Sequence, residues 1–177
     1  IVHLTWNHDN LLCGAAMDGG TGLTNKGRQF VMRAQELGIM LDMSHISERG
    51  FWDTLEISTR PVIAGHSSSK AVCNVPRNLS DEQFAALVRQ GGGAGINLYP
   101  EFLGLGRDID AVFAHIDHFM SLGGERSVFL GCDLDGIEET PRGISGVQDI
   151  NSSLSLFCVT VTVVFHSNYI EFTATEL

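Results

Sequence analysis

Two histidines in this chain each follow a short, largely apolar run. His45 comes after the run at residues 39–43, and His66 comes after the run at residues 61–65. Runs of this kind are typical of strands buried on both faces of a parallel sheet, so both imidazoles are expected just beyond strand ends. Neutral imidazole is a preferred ligand of zinc. The pair therefore predicts a shared metal site; the alternative is that each ring caps its strand through ordinary hydrogen bonds.

A carboxylate follows another apolar run, at residues 127–130. Asp133 and Asp135 lie in the segment GCDLDG. A carboxylate close to a metal-bound water can act as a general base, and we assign that role to Asp133. Asp135 precedes Gly136, and because Asp-Gly commonly forms a turn we interpret Asp135 as a turn residue.

An arginine and two further histidines also have side chains suited to a site. Arg77, in the segment VPRN, could bind a substrate carboxylate through both of its guanidinium nitrogens, although a surface arginine is the alternative. His115 and His118 are spaced to face one metal from a helix. They flank an apolar helical stripe, however, and we interpret both as structural.

The elements that must position these residues alternate along the chain. Five apolar runs alternate with four helical patterns, which predicts an α/β fold with parallel strands joined by crossover helices. The runs lie at residues 1–6, 39–43, 61–65, 94–98 and 127–130, and the helical patterns at 24–37, 47–57, 81–90 and 108–122. The last-but-one helix opens on a capping box formed by Ser80 and Gln83.

Two parallel architectures are compatible with this order. A doubly wound sheet would need a phosphate-binding loop, but the glycine-rich residues 91–95 precede a strand and do not link a strand to a helix. A (β/α)8 TIM-type barrel places its chemistry at the carboxyl ends of many strands, as found here. Such a barrel takes roughly 250 residues. We therefore predict part of a barrel over residues 1–150.

Composition limits the compartment and the partners. The chain has 177 residues, 44% of them hydrophobic, and a formal net charge of -10, which argues against nucleic acid or an anionic membrane surface as a partner. Four single cysteines without CxxC pairs predict reduced thiols and a cytoplasmic location.

No membrane segment or signal peptide is visible, and a start on a strand-like run suggests the middle of a protein. Residues 151–177 contain no Lys or Arg and predict an atypical, β-prone tail.

Five segments, taken in order, resemble the membrane (renal) dipeptidase family of zinc metallopeptidases over about residues 1–150. They are LTWNHDN, GLTNKGRQFV, LGIMLDMSHIS, PVIAGHSSSKAVCNVPRNLSD and VFLGCDLDG. The resemblance implies a (β/α)8 barrel, of which this chain would supply about strands 4 to 8. It also implies two zinc ions and dipeptide substrates, including some with a D-residue at the carboxyl side.

The motifs of that family also imply roles for particular residues. His45 and His66 resemble the two histidines that hold one zinc, and Asp133 resembles the aspartate that handles the proton of the attacking water. Arg77 resembles the arginine that holds the terminal carboxylate of the substrate. Tyr99 and His8 resemble residues near the substrate pocket. The His-x-Asp pair and bridging glutamate of the family have no counterpart here, so one zinc at most is expected.

The resulting functional prediction is a metal-dependent dipeptidase that cleaves dipeptides with a zinc-activated water. One alternative is another barrel amidohydrolase, which would act on a lactone or an acylated amino acid. A second alternative is a catalytically inactive fragment or binding module. An open barrel would leave strand edges unpaired near Ile1, which predicts self-association into a homo-oligomer.

Overall fold

The computed structural model describes residues 1–150 in full and the backbone of residues 160–166 and 169–175. Strands and helices alternate through the first 150 residues, which confirms the α/β prediction. The strands are β1 (Val2–His3), β2 (Leu41–Asp42), β3 (Ile63–Ala64), β4 (Gly93–Ile96) and β5 (Val128–Leu130). The helices are α1 (Asn25–Glu36), α2 (Glu48–Ile57), α3 (Asp81–Arg89), α4 (Pro100–Leu103) and α5 (Ile109–Ser121).

The five strands form one parallel sheet in the order β1-β2-β3-β4-β5. His3 pairs with Asp42 across β1 and β2, and Asp42 pairs with Ile63 across β2 and β3. Each of the strands β1 to β4 therefore lies beside the strand that follows it in the chain. The carboxyl ends of all five strands consequently meet at one edge of the sheet, where the candidate site residues were predicted.

The helices begin where the sequence predicts because side-chain caps satisfy their first N–H groups. The predicted capping box is present: the Gln83 N–H donates to Ser80 Oγ at 3.3 Å, and the Ser80 N–H donates to Gln83 Oε1 at 2.9 Å. At α5 the Ala111 N–H donates to Asp108 Oδ1 at 3.2 Å. The sequence patterns do not predict α4, a single turn that ends at Gly104.

The glycine-rich residues 91–95 serve the packing of the sheet. A Cβ on Gly93 would lie 2.2 Å from the Ser127 carbonyl oxygen, and one on Gly95 would lie 2.1 Å from the Gly65 carbonyl oxygen. Only glycine allows so close an approach of neighbouring backbones. These close backbone contacts account for the two glycines, and no phosphate-binding role is needed to explain them.

The core lies between the sheet and its helices. Buried strand residues such as Leu41 and Ile96 belong to one apolar cluster with buried helix residues such as Phe84 and Phe119. The rings of Phe84 and Phe119 stack with centroids 4.0 Å apart, which joins α3 to α5. The helices are thereby fixed against the strands that carry the site.

Two further strands, β6 (Thr160–His166) and β7 (Tyr169–Thr175), form a separate antiparallel pair. The predicted tail over residues 151–177 falls partly outside the described residues, because residues 151–159, 167–168 and 176–177 are among those not described. In the described part of the chain, no helix has the length and apolarity needed to cross a membrane.

Candidate metal and substrate site

The site residues line one cavity of about 850 Å³ at the carboxyl edge of the sheet. His3 ends β1, His66 follows β3 by two residues, and Asp133 follows β5 by three. All six residues proposed from the sequence border this cavity, and the structure adds His3. The six are His8, His45, His66, Arg77, Tyr99 and Asp133.

The predicted histidine pair is in direct contact. The Nε2 atoms of His45 and His66 lie 2.8 Å apart, and His45 Nδ1 lies 3.1 Å from Asn7 Oδ1. An amide oxygen only accepts hydrogen bonds, so His45 Nδ1 carries the proton and its Nε2 lone pair points at His66. Metal-binding histidines usually donate their second ring N–H in this way.

Both rings are held in the neutral form that binds metals. Burial, together with the nearby charge of Arg77, lowers the pKa of His45 to about 3, and the same causes lower the pKa of His66. Two nitrogens that share a tetrahedral zinc at ~2.0–2.1 Å lie roughly 3.3 Å apart. A movement of about 0.5 Å, with transfer of the His66 Nε2 proton to its Nδ1, would therefore convert the pair into two ligands of one ion. The donor set fits zinc.

The sequence patterns do not predict a second pair, His3 and Asp42. His3 Nε2 lies 3.1 Å from Asp42 Oδ2, and Asp42 is only 4% exposed. Burial acts to raise the pKa of Asp42, but the hydrogen bond and charge of His3, with N–H groups of Gly65 and Ser44, lower it to about 2. Both residues lie within largely apolar strand runs. The sequence feature that marks them is a titratable residue inside an otherwise apolar run.

Arg77 is buried beside the histidines and is therefore not a surface arginine. Its side chain donates to the main-chain oxygen of His66 at 3.3 Å and to Ser67 Oγ at 3.4 Å, and the residue is 4% exposed. Burial lowers the pKa of Arg77 to about 10, although the negative charges of Asp133 and Asp42 act to raise it. The guanidinium is still charged at neutral pH. A buried cation that borders a cavity can bind a carboxylate.

Asp133 borders the same cavity and has an uncommon backbone conformation. Its φ angle is 58°, and its Oδ2 accepts a hydrogen bond from Asn97 Nδ2 at 3.4 Å. The Gly136 N–H donates to the Asp133 carbonyl oxygen at 2.8 Å and closes the turn. This turn presents the carboxylate to the cavity. The predicted role of Asp133 as a base is compatible with this position.

Tyr99 and His8 border the outer part of the cavity. The Tyr99 ring contacts the Phe102 ring edge-on, with centroids 4.9 Å apart. His8 has an 80% exposed side chain, and its Nδ1 lies 3.0 Å from Asp18 Oδ1. His8 is thus paired with a surface carboxylate and not with the other histidines. Substrate binding by either residue stays a prediction.

His115 and His118 form hydrogen bonds to different partners, in agreement with the prediction that both are structural residues. The Ser69 N–H donates to His115 Nδ1 at 3.0 Å, and His115 Nε2 donates to the Leu103 oxygen at 3.3 Å. His118 Nε2 lies 2.8 Å from Asp81 Oδ1. His115 therefore joins α5 to the loop that carries Arg77.

This arrangement, a parallel α/β sheet with imidazoles and carboxylates beyond its strand ends, is typical of metal-dependent enzymes. A sequence profile of the membrane dipeptidase family (peptidase family M19) matches residues 1–156. The chain belongs to this family. The resemblance seen in the sequence motifs is thereby confirmed.

Two individual proteins are similar to this chain over most of its length. An uncharacterized protein in the pqqA 5′ region of Klebsiella pneumoniae is 40% identical over 126 residues, which cover 68% of this chain and 46% of that protein. An uncharacterized dipeptidase of Schizosaccharomyces pombe is 34% identical over 152 residues, which cover 82% of this chain and 37% of that protein.

A solved structure shows the same fold. It is the metallo peptidase of Rhodobacter sphaeroides liganded with a phosphinate mimic of the dipeptide L-Ala-D-Ala. The TM-score is 0.81 at 32% identity, and the match covers 87% of this chain and 47% of that chain. This chain therefore spans less than half the length of each of these three relatives.

Proposed function

We propose that this chain carries part of the active site of a metal-dependent dipeptidase. The observation that carries the proposal is the position of Arg77, a buried cation that borders the same cavity as the His45–His66 pair. A guanidinium that can bind the carboxylate of a substrate thus borders the same cavity as two imidazoles that can bind a metal. The name of the S. pombe relative and the dipeptide mimic bound by the R. sphaeroides enzyme support the same substrate class.

We propose that the sheet is part of a (β/α)8 barrel, about strands 4 to 8. Its five parallel strands form four pairs, each between strands that are consecutive in the chain, as in a barrel. The position of the cavity, at the carboxyl ends of the strands, is also that of barrel active sites. The R. sphaeroides structure, at TM-score 0.81, supports this interpretation.

His45 and His66 would hold a zinc ion, one at most in this chain. When bound, such an ion polarises a carbonyl oxygen and lowers the pKa of a water toward ~7. Arg77 would hold the terminal carboxylate of the dipeptide, with Tyr99 and His8 on the outer wall of the pocket. Asp133 would accept the proton of the attacking water and pass it to the leaving amine, while Asn97 keeps its carboxylate in place.

The substrate class is tested by comparing three compounds: L-alanyl-D-alanine, its C-terminal amide and its N-acetyl derivative. Hydrolysis is measured for the zinc-loaded chain and for a full-length relative that carries the same residues. We expect kcat/KM to be at least about tenfold higher for the free dipeptide than for the amide, because only the free acid pairs with Arg77. Equal rates for acid and amide would contradict the proposal. A preference for the N-acetyl compound would favour an acyl-amino-acid hydrolase.

We also propose a cytoplasmic location and self-association. Cys13, Cys73 and Cys132 are free thiols in the described part of the chain, which supports a reducing compartment. Strand β1 contains two residues and lies at the edge of the five-stranded sheet. Sedimentation velocity at two concentrations would detect the self-association.

A further inference from the structure

We infer that Phe102 and Asn78 are positioning residues for Arg77: the Phe102 ring supports the guanidinium from one face, and Asn78 fixes that ring to the loop that carries Arg77. The Cζ atom of Arg77 lies over the Phe102 ring, 5.5 Å from the ring centroid. Both side chains border the cavity of the candidate site. The inference rests on the proposed function and adds the residues that make Arg77 selective for a carboxylate.

The Phe102 ring covers a buried guanidinium that has few protein partners. Arg77 is 4% exposed, and its bonds to Ser67 Oγ and to the His66 oxygen engage two of its five N–H groups. Within residues 1–150 it forms no direct ion pair with a carboxylate. An aromatic ring attracts a guanidinium, and the attraction is stronger where water is excluded. The ring therefore takes the place of water on one face and leaves N–H groups for a ligand.

Asn78 joins the loop that carries Arg77 to the helix that carries Phe102. Its Nδ2 donates to the main-chain oxygens of Phe102 at 2.8 Å and of Cys73 at 2.9 Å, and the residue is 2% exposed. The buried Oδ1 of Asn78 has no hydrogen-bond partner among the described residues, so the two donors are what this side chain contributes. One amide group thus bridges the loop after β3 and the helix α4 after β4.

The orientation of the Phe102 ring is fixed by contacts within α4 and the residue before it. The Tyr99 ring meets the Phe102 ring edge-on, with centroids 4.9 Å apart and an angle of 80° between the planes. The Phe102 N–H also donates to the Tyr99 oxygen at 2.9 Å. The short helix α4, which the sequence patterns do not predict, therefore places a fixed aromatic ring against the guanidinium of Arg77.

The inference is tested by steady-state kinetics of a zinc-loaded, full-length relative that carries the same residues, with L-alanyl-D-alanine and its C-terminal amide as substrates. The variants are Phe102→Leu, which removes the aromatic face, Phe102→Tyr, which keeps it, and Asn78→Leu, which removes the amide donors at similar shape. The matched control is Gln35→Met. Gln35 is also a buried amide, 4% exposed, and it donates to the Arg60 oxygen at 3.2 Å, outside the set of residues that border the cavity.

For Phe102→Leu and Asn78→Leu we expect the KM of the dipeptide to rise about 3- to 30-fold, with kcat within about threefold of the unmodified value. The reason is that the carboxylate is bound in the ground state and in the transition state alike. The amide should be affected much less, so the preference for the free acid should shrink. Phe102→Tyr should behave as the unmodified enzyme. Gln35→Met should lower Tm, as Asn78→Leu does, but should leave the KM and the acid-to-amide ratio unchanged.

An acid-to-amide ratio that stays the same in Phe102→Leu would overturn the inference, because the ring would then only pack the wall of the cavity. A loss of the ratio in Phe102→Tyr as large as in Phe102→Leu would overturn it as well. If circular dichroism shows that Asn78→Leu is unfolded, the comparison of Phe102→Leu with Phe102→Tyr decides. Failure of the proposed function is a different result: the unmodified enzyme itself would then show no preference for the acid over the amide.

Discussion

The guanidinium of Arg77 donates a hydrogen bond to the main-chain oxygen of His66 across 3.3 Å. The loop between these residues closes on itself, because the Leu79 N–H donates to the Ser68 oxygen and the Lys70 N–H to the Leu79 oxygen, each at 2.8 Å. The proposed carboxylate-binding group is therefore joined to the main chain of a proposed metal ligand. Such a constraint would select substrates by the distance between their scissile bond and their terminal carboxylate.

Replacement of Arg77 tests this constraint directly. In a full-length relative that carries the same residues, Arg77→Met should lower kcat/KM for a dipeptide about 10- to 150-fold, equivalent to the roughly 1.5–3 kcal/mol of a hydrogen bond to a charged group. The dipeptide amide should be affected much less. Arg33→Met is the matched control, because Arg33 forms an exposed ion pair with Glu36. Equal losses for acid and amide would indicate that Arg77 acts only on the structure of the loop.

Asp133→Asn tests the proposed base in the same full-length relative. Asparagine tolerates the left-handed backbone of this position, φ 58°, so the turn should survive while the proton acceptor is lost. We expect kcat to fall about 10²- to 10⁴-fold, with zinc content unchanged. Steady-state kinetics and elemental analysis measure the two quantities. Turnover close to that of the unmodified enzyme would mean that the proton takes another route.

The sequence predicts the scaffold better than the chemistry inside it. Apolar runs and caps such as Ser80–Gln83 determine the helices and the parallel strands locally, and the structure contains them all. His45 and His66 could be identified because each follows the end of a run. His3 and Asp42 could not, because they lie inside apolar runs, and their pairing depends on the register of β1 against β2. That register is a tertiary property, set by packing of the sheet and not by either run alone.

Zinc binding should stabilise the chain, with a stoichiometry of at most one ion. At a free zinc concentration about 100 times Kd, the stabilisation is about 2.7 kcal/mol. For a chain of this size, that corresponds to a rise in Tm of about 5–10 °C. Differential scanning calorimetry with zinc and with EDTA, together with elemental analysis, measures both effects. Two tightly bound zinc ions would contradict the expected limit of one ion.

The stability of the chain should also depend on pH through His115. This buried ring accepts the Ser69 N–H at Nδ1 and donates from Nε2 to Leu103, and burial lowers its pKa to about 4, with the Leu103 bond opposing in part. In the unfolded chain the ring titrates near its ordinary pKa of about 6.5. Between these two values the unfolded state binds one more proton than the folded state. The free energy of unfolding therefore decreases as the pH falls from about 6.5 to 4, by up to about 1.4 kcal/mol per pH unit.

Urea unfolding at pH 7, 6 and 5 measures this dependence, and His115→Gln isolates the contribution of the ring. Glutamine offers an oxygen to the Ser69 N–H and an amide N–H to Leu103, but it does not titrate. We expect the pH slope of His115→Gln to be smaller than that of the unmodified chain. The lowered pKa values of His45 and His66 contribute equally to both proteins, and His118→Gln on the same helix serves as the control. An unchanged slope in His115→Gln would show that His115 is protonated in the folded chain, and that its bond from Ser69 is broken within this pH range.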